Sequence, residues 1–211
     1  MTSARIVVVD TGMGNLASVT RALGHVGAAE VVVTSDPNLV RSADAVVMPG
    51  QGAFRDCSRA LEGGLGEAVK ESIARGAPFL GICLGLQILF AESEEADASC
   101  RGLGVFAGRV VRLGGGTDAL TGARLPLPHT GWNLVERARG ASILAEDATH
   151  FYFVHSYAVV PDDAAIVAAT TEYGARFVSA IAKDNVLAVQ FHPEKSQKAG
   201  LELLRRWVAS S

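Results

Sequence analysis

The first half of the chain alternates short apolar runs with stretches of helical spacing. Four apolar runs predict buried strands: residues 5–10, 30–34, 43–48 and 79–82. Between them, apolar side chains recur at the spacing of one helical face from Leu16 to Val26, and residues 57–74 predict a further helix. Continuous apolar strands that alternate with helices are typical of parallel sheets. We therefore predict an α/β fold with a doubly wound, mostly parallel sheet.

The second half contains more strand patterns than helix patterns. Five segments predict strands: residues 105–113, 151–160, 166–172, 178–183 and 186–191. A helical pattern at residues 198–208 closes the sequence. Because few helical stretches separate these strands, we expect an antiparallel or mixed extension of the sheet. With 211 residues the chain is long enough for one core, so we expect residues 1–211 to form a single domain.

Composition and charge argue against several classes of function. The net charge is −3 and no segment is strongly basic, so we expect no nucleic-acid partner. The apolar stretch at residues 77–90 is too short to span a bilayer and residues 1–10 lack the core of a secretory signal, so we expect no membrane contact and a cytoplasmic location. Cys57, Cys83 and Cys100 include no C-x-x-C pair. We therefore expect neither a disulfide framework nor a metal site, and no cofactor.

Cys83 lies in a segment with the spacing of a nucleophile elbow. Gly81-Ile-Cys-Leu-Gly85 follows a predicted strand and precedes a helical pattern, as the G-x-S-x-G motif does in hydrolases. Such a turn crowds the backbone on both sides of the nucleophile, and glycine leaves the space that it needs. Free N–H groups at a helix start favour the thiolate. A free cysteine is more often a small buried side chain, so this segment alone does not decide the matter.

A second segment, Val189-Gln-Phe-His-Pro-Glu194, supplies a base and an acid. If the extended conformation continues through Pro193, His192 and Glu194 point to the same side, because side chains two apart in a strand share a face. His192 can then deprotonate Cys83 while Glu194 orients the imidazole, as in other nucleophile–base–acid triads. Each residue alone has a common structural explanation, but the three together predict a catalytic cysteine.

A third segment, Pro49-Gly-Gln-Gly52, follows another predicted strand. Glycines let backbone N–H groups approach a developing oxyanion closely, although the same sequence also suits a plain turn. Ligands of open parallel sheets bind beyond the carboxyl ends of the strands. We therefore expect this loop and Cys83 to share one site.

Other functions compete with this interpretation. Gly12-Met-Gly-Asn-Leu-Ala17 fits the G-x-G-x-x-A pattern of dinucleotide-binding folds, with Glu30 or Asp36 downstream. That function leaves the cysteine and His-Pro-Glu segments unexplained, and a nicotinamide titration tests it. A different cysteine hydrolase, an amidotransferase of another pathway and a catalytically silent binding protein are further alternatives.

Six segments spread over nearly the whole chain resemble those of a known family. They are Asp10-Thr-Gly-Met-Gly-Asn-Leu16, Met48-Pro-Gly-Gln-Gly-Ala-Phe54, Gly81-Ile-Cys-Leu-Gly-Leu-Gln87, Pro128-His-Thr-Gly-Trp-Asn133, Tyr152-Phe-Val-His-Ser-Tyr157 and Val189-Gln-Phe-His-Pro-Glu-Lys-Ser196. The cysteine and His-Pro-Glu segments are similar to those of class I, triad-type glutamine amidotransferases, which have a flavodoxin-like fold. The Gly-Met-Gly-Asn, Gly-Trp-Asn and Tyr-Phe-Val-His-Ser-Tyr segments resemble, more narrowly, the glutaminase subunits of imidazole glycerol phosphate synthase, an enzyme of histidine biosynthesis.

The resemblance implies roles for individual residues. It implies that Cys83 forms a glutamyl thioester with the substrate glutamine, with His192 as acid and base and Glu194 as its partner. It also implies an oxyanion and substrate site made of Gly50, Gly52, Leu84, Gln87, Ser156 and Tyr157.

The resemblance further implies a protein partner. This partner is the (β/α)8-barrel cyclase subunit of imidazole glycerol phosphate synthase, which receives the ammonia through an internal tunnel in a heterodimer. The residues that match family positions at the interface are Asn15, Trp132, Tyr152 and Lys195. The family pattern also implies that the chain alone hydrolyses glutamine poorly until the cyclase binds its nucleotide ligand.

Overall fold

The computed structural model describes residues 4–117, 121–138 and 148–211, and these form twelve strands and six α-helices. The first part runs β1 (Arg5–Val9), α1 (Leu16–His25), β2 (Glu30–Thr34), α2 (Pro37–Arg41), β3 (Ala45–Gly50), α3 (Phe54–Ala60), α4 (Leu65–Ala74), β4 (Phe79–Cys83) and α5 (Leu84–Gln87). The second part runs β5 (Phe90–Ser93), β6 (Phe106–Arg112), β7 (His129–Arg137), β8 (Ala148–His155), β9 (Tyr157–Pro161), β10 (Val167–Tyr173), β11 (Ala175–Lys183), β12 (Val186–Val189) and α6 (Gln197–Ala209). Short 3-10 turns lie at Ala164–Ile166 and Pro193–Lys195.

The strands of the described residues join in one mixed sheet. Its parallel half has the order β2-β1-β3-β4-β12. From β12 the neighbours β11, β10, β7 and β8 pair antiparallel. A side branch of β5, β6 and β9 joins at β11. The predicted α/β class, with a parallel sheet and a mixed extension, is confirmed.

Both faces of the parallel half are covered by helices. Side chains alternate across β1, so that Ile6 and Val8 face a core layer shared with α1 and α6. Val7 and Val9 face the opposite layer, which contains side chains of α2, α3, α4 and α5. Strands buried on two faces require apolar residues at consecutive positions, which explains the continuous apolar runs of the sequence. The predicted doubly wound arrangement is confirmed.

Two of the predicted elements are divided in the structure. The single helix expected over residues 57–74 is wrong, because Gly63 and Gly64 adopt φ of +72° and +100° and separate α3 from α4. The single strand expected over residues 151–160 is also wrong. The chain bends at Ser156 because β8 pairs with β7, whereas β9 pairs with β6 and β11. Strands β5 and β7 were not predicted.

Candidate active site

The carboxyl ends of three adjacent parallel strands form the centre of the site. Gly50, the last residue of β3, lies opposite Cys83, the last residue of β4. Val189 ends β12 opposite Ile82, so that the chain beyond β12 emerges beside Cys83. The structure thus brings together the three segments that the sequence marked, at the edge where ligands of such sheets bind.

Cys83 occupies a strained turn between β4 and α5. Its φ of 55° and ψ of −105° lie in a region that residues with a side chain rarely adopt. A Cβ at Gly85 would lie 1.8 Å from the carbonyl oxygen of Met48, and one at Gly81 would lie 2.6 Å from the carbonyl oxygen of Gly85. The glycine spacing is therefore a steric requirement of this turn, as the sequence indicated.

His192 and Glu194 form a buried pair. The ring Nδ1 lies 2.8 Å from Glu194 Oε1, and the two side chains are only 2% and 1% exposed. His192 is extended, but the extended conformation does not continue through Pro193, since Pro193–Lys195 form a 3-10 turn, so the condition for a shared strand face is not met. The turn instead folds Glu194 back towards the ring. A carboxylate at Nδ1 fixes the tautomer and leaves Nε2 for another partner.

The charges around His192 decide its protonation state. Burial lowers the pKa of the ring, but the Cys83 thiolate and the Glu194 carboxylate oppose this effect and raise the pKa to about 9. Apart from its interaction with Cys83, His192 Nε2 has no hydrogen-bond partner among the described residues, so it can exchange a proton with the sulfur or with a substrate. The arrangement favours a protonated, positively charged His192 ring at neutral pH.

A cavity of about 260 Å³ opens beside Cys83. Five of the residues predicted to hold oxyanion or substrate line it: Gly52, Leu84, Gln87, Ser156 and Tyr157. The sixth, Gly50, packs against the side chain of Leu84, where an added Cβ would lie 2.8 Å from the Leu84 Cβ. Gly52 has a left-handed φ of +102°. The space suits a small substrate with its reactive group at Cys83.

Gln87 is almost fully buried at the end of α5, and part of its hydrogen-bonding capacity is already used. Its Nε2 donates to the Tyr157 carbonyl at 3.0 Å and to Gln190 Oε1 at 3.1 Å. An amide nitrogen has two hydrogens, so both are engaged. Gln87 can therefore offer a substrate only its Oε1, which is an acceptor.

Glu95 also lines the cavity, although no sequence pattern predicted it as a site residue. Its Oε2 accepts a hydrogen bond from the backbone N–H of Phe54 at 2.9 Å. It follows two other glutamates, Glu92 and Glu94, so it resembles part of a solvated acidic run. The contact with Phe54 joins residues 41 positions apart, and no local pattern indicates it.

A separate exposed surface contains three of the four predicted interface residues. Trp132 on β7 pairs with Tyr152 on β8, and their rings lie 6.3 Å apart in an edge-to-face arrangement. Lys195 Nζ lies 6.0 Å from the centre of the Tyr152 ring. The fourth residue, Asn15, is exposed and caps α1, which packs against the turn that contains Lys195. Trp132 is 47% exposed, which is unusual for a large aromatic side chain.

Two further features concern metals and membranes. Within residues 4–117, 121–138 and 148–211, no group of three or more histidine, cysteine or acidic side chains is arranged to hold a metal ion. In the same ranges, every helix is too short or too polar to cross a bilayer.

The fold and the site define a cysteine nucleophile with a histidine–glutamate pair on a doubly wound sheet. Comparison with known proteins agrees with this class. The family model for class I glutamine amidotransferases matches residues 7–210. The chain is 49% identical over 205 residues to the imidazole glycerol phosphate synthase subunit HisH of Syntrophotalea carbinolica, which covers 96% of this chain and 98% of that protein. It is 51% identical over 208 residues to the HisH subunit of Dechloromonas aromatica, with 96% and 95% covered.

Solved structures show the same fold at lower identity. A crystal structure of a glutamine amidotransferase superposes with a TM-score of 0.71 at 20% identity, covering 97% of this chain and 99% of that one. The PurLQS structure from Thermotoga maritima gives 0.74 at 15% identity, with 99% of each chain covered. The chain belongs to the class I glutamine amidotransferases, and within that class to the family of HisH subunits. The dinucleotide-binding alternative is set aside.

Proposed function

We propose that residues 1–211, as one domain in the cytoplasm, hydrolyse glutamine to glutamate and ammonia and deliver the ammonia to a cyclase partner. The cyclase reaction would form imidazole glycerol phosphate and an aminoimidazole ribonucleotide in histidine biosynthesis. The observation that carries the proposal is the buried His192–Glu194 pair beside a strained cysteine that opens on a cavity. The sequence identity of 49% and 51% to two HisH subunits supports the assignment to this pathway.

The proposed reaction uses the triad in two stages. The Cys83 thiolate attacks the amide carbon of glutamine, and the N–H groups of Gly52 and Leu84 stabilise the oxyanion. Protonated His192 donates its proton to the leaving nitrogen, and ammonia departs from a glutamyl thioester. Neutral His192 then takes a proton from water, the resulting hydroxide attacks the thioester, and glutamate leaves as Cys83 returns to the thiolate. Glu194 keeps Nε2 directed at these atoms throughout.

The lining of the cavity supports an amino acid as the substrate. Glu95 is the acidic side chain among the described residues that line it, and one of its oxygens is held by the Phe54 N–H. A carboxylate fixed in this way complements the α-ammonium group of glutamine. We assign Glu95 to that group, with Gln87 Oε1 and the backbone around Ser156 and Tyr157 as further contacts.

The exposed aromatic surface supports a protein partner. Trp132 and Tyr152 occupy the same face of the β7–β8 pair, and Leu134, two residues beyond Trp132, is 37% exposed. Two residues along β8 from Tyr152, the Val154 carbonyl lies 3.9 Å from the Cys83 sulfur. A (β/α)8-barrel cyclase bound to this surface, with Asn15 and Lys195 at the contact, would lie close to the point where ammonia is released. A sheltered path matters because ammonia that escapes into water is mostly protonated and no longer nucleophilic.

The proposal is tested by glutamate release from glutamine by the purified chain, with and without the cyclase and its ribonucleotide substrate. We expect slow turnover alone, strong stimulation by the liganded partner and no turnover in Cys83→Ala. A rate of glutamate release that the cyclase does not change would be consistent with the triad but would assign the chain to another hydrolase or amidotransferase role. Turnover that survives Cys83→Ala would reject the cysteine mechanism.

A further inference from the structure

A buried glutamine, outside the predicted triad, contacts the sulfur of Cys83. Gln190 follows β12 and is completely buried. Its Nε2 lies 3.5 Å from Cys83 Sγ, which is within hydrogen-bond distance for a sulfur acceptor. Its neighbours in sequence, Val189 and Phe191, are apolar and equally buried. A buried amide in an apolar segment is costly unless its hydrogen bonds are made, so its placement calls for an explanation.

The hydrogen bonds of the surrounding groups fix the orientation of the Gln190 amide. The Tyr157 carbonyl can only accept, so the Gln87 atom that faces it must be the NH2 group. The second hydrogen of that NH2 group points to Gln190, whose facing atom must then be its oxygen. The NH2 group of Gln190 is thereby directed at the sulfur. The backbone N–H of Gln190 is also fixed, because it donates to the Ser179 carbonyl at 2.9 Å.

The two polar contacts of the sulfur favour different protonation states. The Val154 carbonyl at 3.9 Å can accept only from a thiol. The Gln190 amide donates to the sulfur, and such a bond is stronger to an anion than to a neutral atom. We propose that Gln190 is a thiolate-holding residue, whose oriented amide stabilises the Cys83 anion and fixes its position before attack. This inference rests on the proposed function, since it concerns the same nucleophile.

The role has a distinctive kinetic consequence. Gln190 gives up no proton, and the Cys83 proton passes to His192. A donor to the thiolate increases the anion fraction but weakens each anion as a nucleophile. Removing the donor should therefore lower reactivity at low pH and leave it equal or higher at high pH. A purely structural contribution would lower reactivity at every pH.

Several titratable groups surround Cys83 and must be considered in any pH profile. His192 and Glu194 follow β12, Glu95 lies beyond β5, and Tyr157 starts β9. His155 on β8 is neutral across the working range, because burial lowers its pKa to about 3. None of these side chains changes when Gln190 is replaced by Met, so a difference between that variant and the wild type reports on the amide, whereas Gln190→Glu also adds a carboxyl group beside the sulfur.

The test is the pH dependence of iodoacetamide alkylation at Cys83, followed by mass spectrometry of its peptide in the full chain. Gln190→Met keeps the size but lacks the donor, and Gln190→Glu replaces the donor by an acceptor. In Gln190→Met we expect the pH midpoint of the alkylation rate to rise by about one unit, which corresponds to about tenfold less thiolate at a fixed lower pH. In Gln190→Glu we expect the midpoint to rise at least as far. Ser179→Ala is the matched control, since Ser179 lies on β11, is buried and contacts Gln190 through its backbone carbonyl. We expect the alkylation midpoint of this variant to equal that of the wild type.

Unchanged midpoints in both Gln190 variants, or a uniform loss at all pH values, would overturn the inference. If one variant fails to fold, as judged by circular dichroism, the other decides. Glutamate release by Cys83→Ala separates the two proposals. Its loss together with unchanged Gln190 midpoints rejects only the role of Gln190, whereas its persistence rejects the proposed function itself.

Discussion

Replacing Cys83 by serine should change the charge state of His192. The folded protein raises the pKa of this ring from 6.5 to about 9 against the lowering effect of burial. At about 1.4 kcal/mol per pKa unit, the rise from 6.5 to about 9 corresponds to roughly 3 kcal/mol in favour of the imidazolium. The Cys83 thiolate is the strongest of the influences that raise it, ahead of Glu194. Serine carries no charge at these pH values, so burial is then opposed by Glu194 alone.

We expect the pKa of His192 in Cys83→Ser to fall by more than about one unit, towards or below its ordinary value. The assay is the NMR titration of the ring Cε1–H signals of the five histidines, with His192→Gln to assign the signal. Cys57→Ser is a matched control, because Cys57 is a second buried cysteine, whose thiol stays neutral since burial raises its pKa to about 12. A His192 signal that titrates at the same pH in Cys83→Ser and in the wild type would refute the conclusion that Cys83 raises the pKa of His192.

Four further changes have defined outcomes. Gly85→Ala places a Cβ 1.8 Å from a backbone oxygen, so we expect a loss of about 3 kcal/mol or more in denaturant titrations, and a wild-type midpoint would contradict the elbow geometry. Glu95→Gln should raise KM for glutamine about tenfold or more with a smaller effect on kcat, and an unchanged KM would exclude the α-ammonium contact. Trp132→Ala should weaken cyclase binding in calorimetry by about 2 kcal/mol, whereas full affinity would place the interface elsewhere. Burial lowers the pKa of His155 to about 3, so the unfolded state binds more protons than the folded state below pH 6.5. In urea titrations we therefore expect a lower free energy of unfolding at pH 5 than at pH 7, and a smaller difference between the two pH values in His155→Gln.

Much of the fold could be predicted because the inner strands of the parallel half, β1, β3 and β4, are buried on both sides. Each of them reads as a continuous apolar run, and the sheet order places them side by side. The antiparallel part was harder to predict. Strand β7 contains Gly131 at φ +133° and exposes Trp132 and Leu134, so its outer face is apolar where a solvated strand would be polar. A surface that suits a partner breaks the alternation by which such strands are recognised.

Some residues of the candidate site could be predicted from local sequence patterns, whereas others take part only through contacts between distant segments. Cys83, His192 and Glu194 lie in short segments whose spacing reflects local geometry, and these segments were found. Glu95 and Gln190 were missed as site residues because their contacts depend on the fold. Glu95 reaches the N–H of Phe54, and Gln190 reaches a sulfur 107 positions away. Even for the acid–base pair, the sequence predicted the residues but not the 3-10 turn that brings them together.

The backbone around His192 also gives a physical reason for activity to depend on a partner. The His192 N–H donates to the Tyr152 carbonyl at 2.9 Å. The Ser196 hydroxyl accepts from the Tyr152 N–H at 2.9 Å and donates to the His192 carbonyl at 2.6 Å. Both backbone polar groups of Tyr152 are therefore tied to the segment that holds the catalytic base, while its ring lies on the exposed surface beside Trp132. A partner that displaces β8 at Tyr152 must either break these buried hydrogen bonds or move His192 with the strand. Because an unmade buried hydrogen bond costs about 1–3 kcal/mol, movement of His192 is the less costly response.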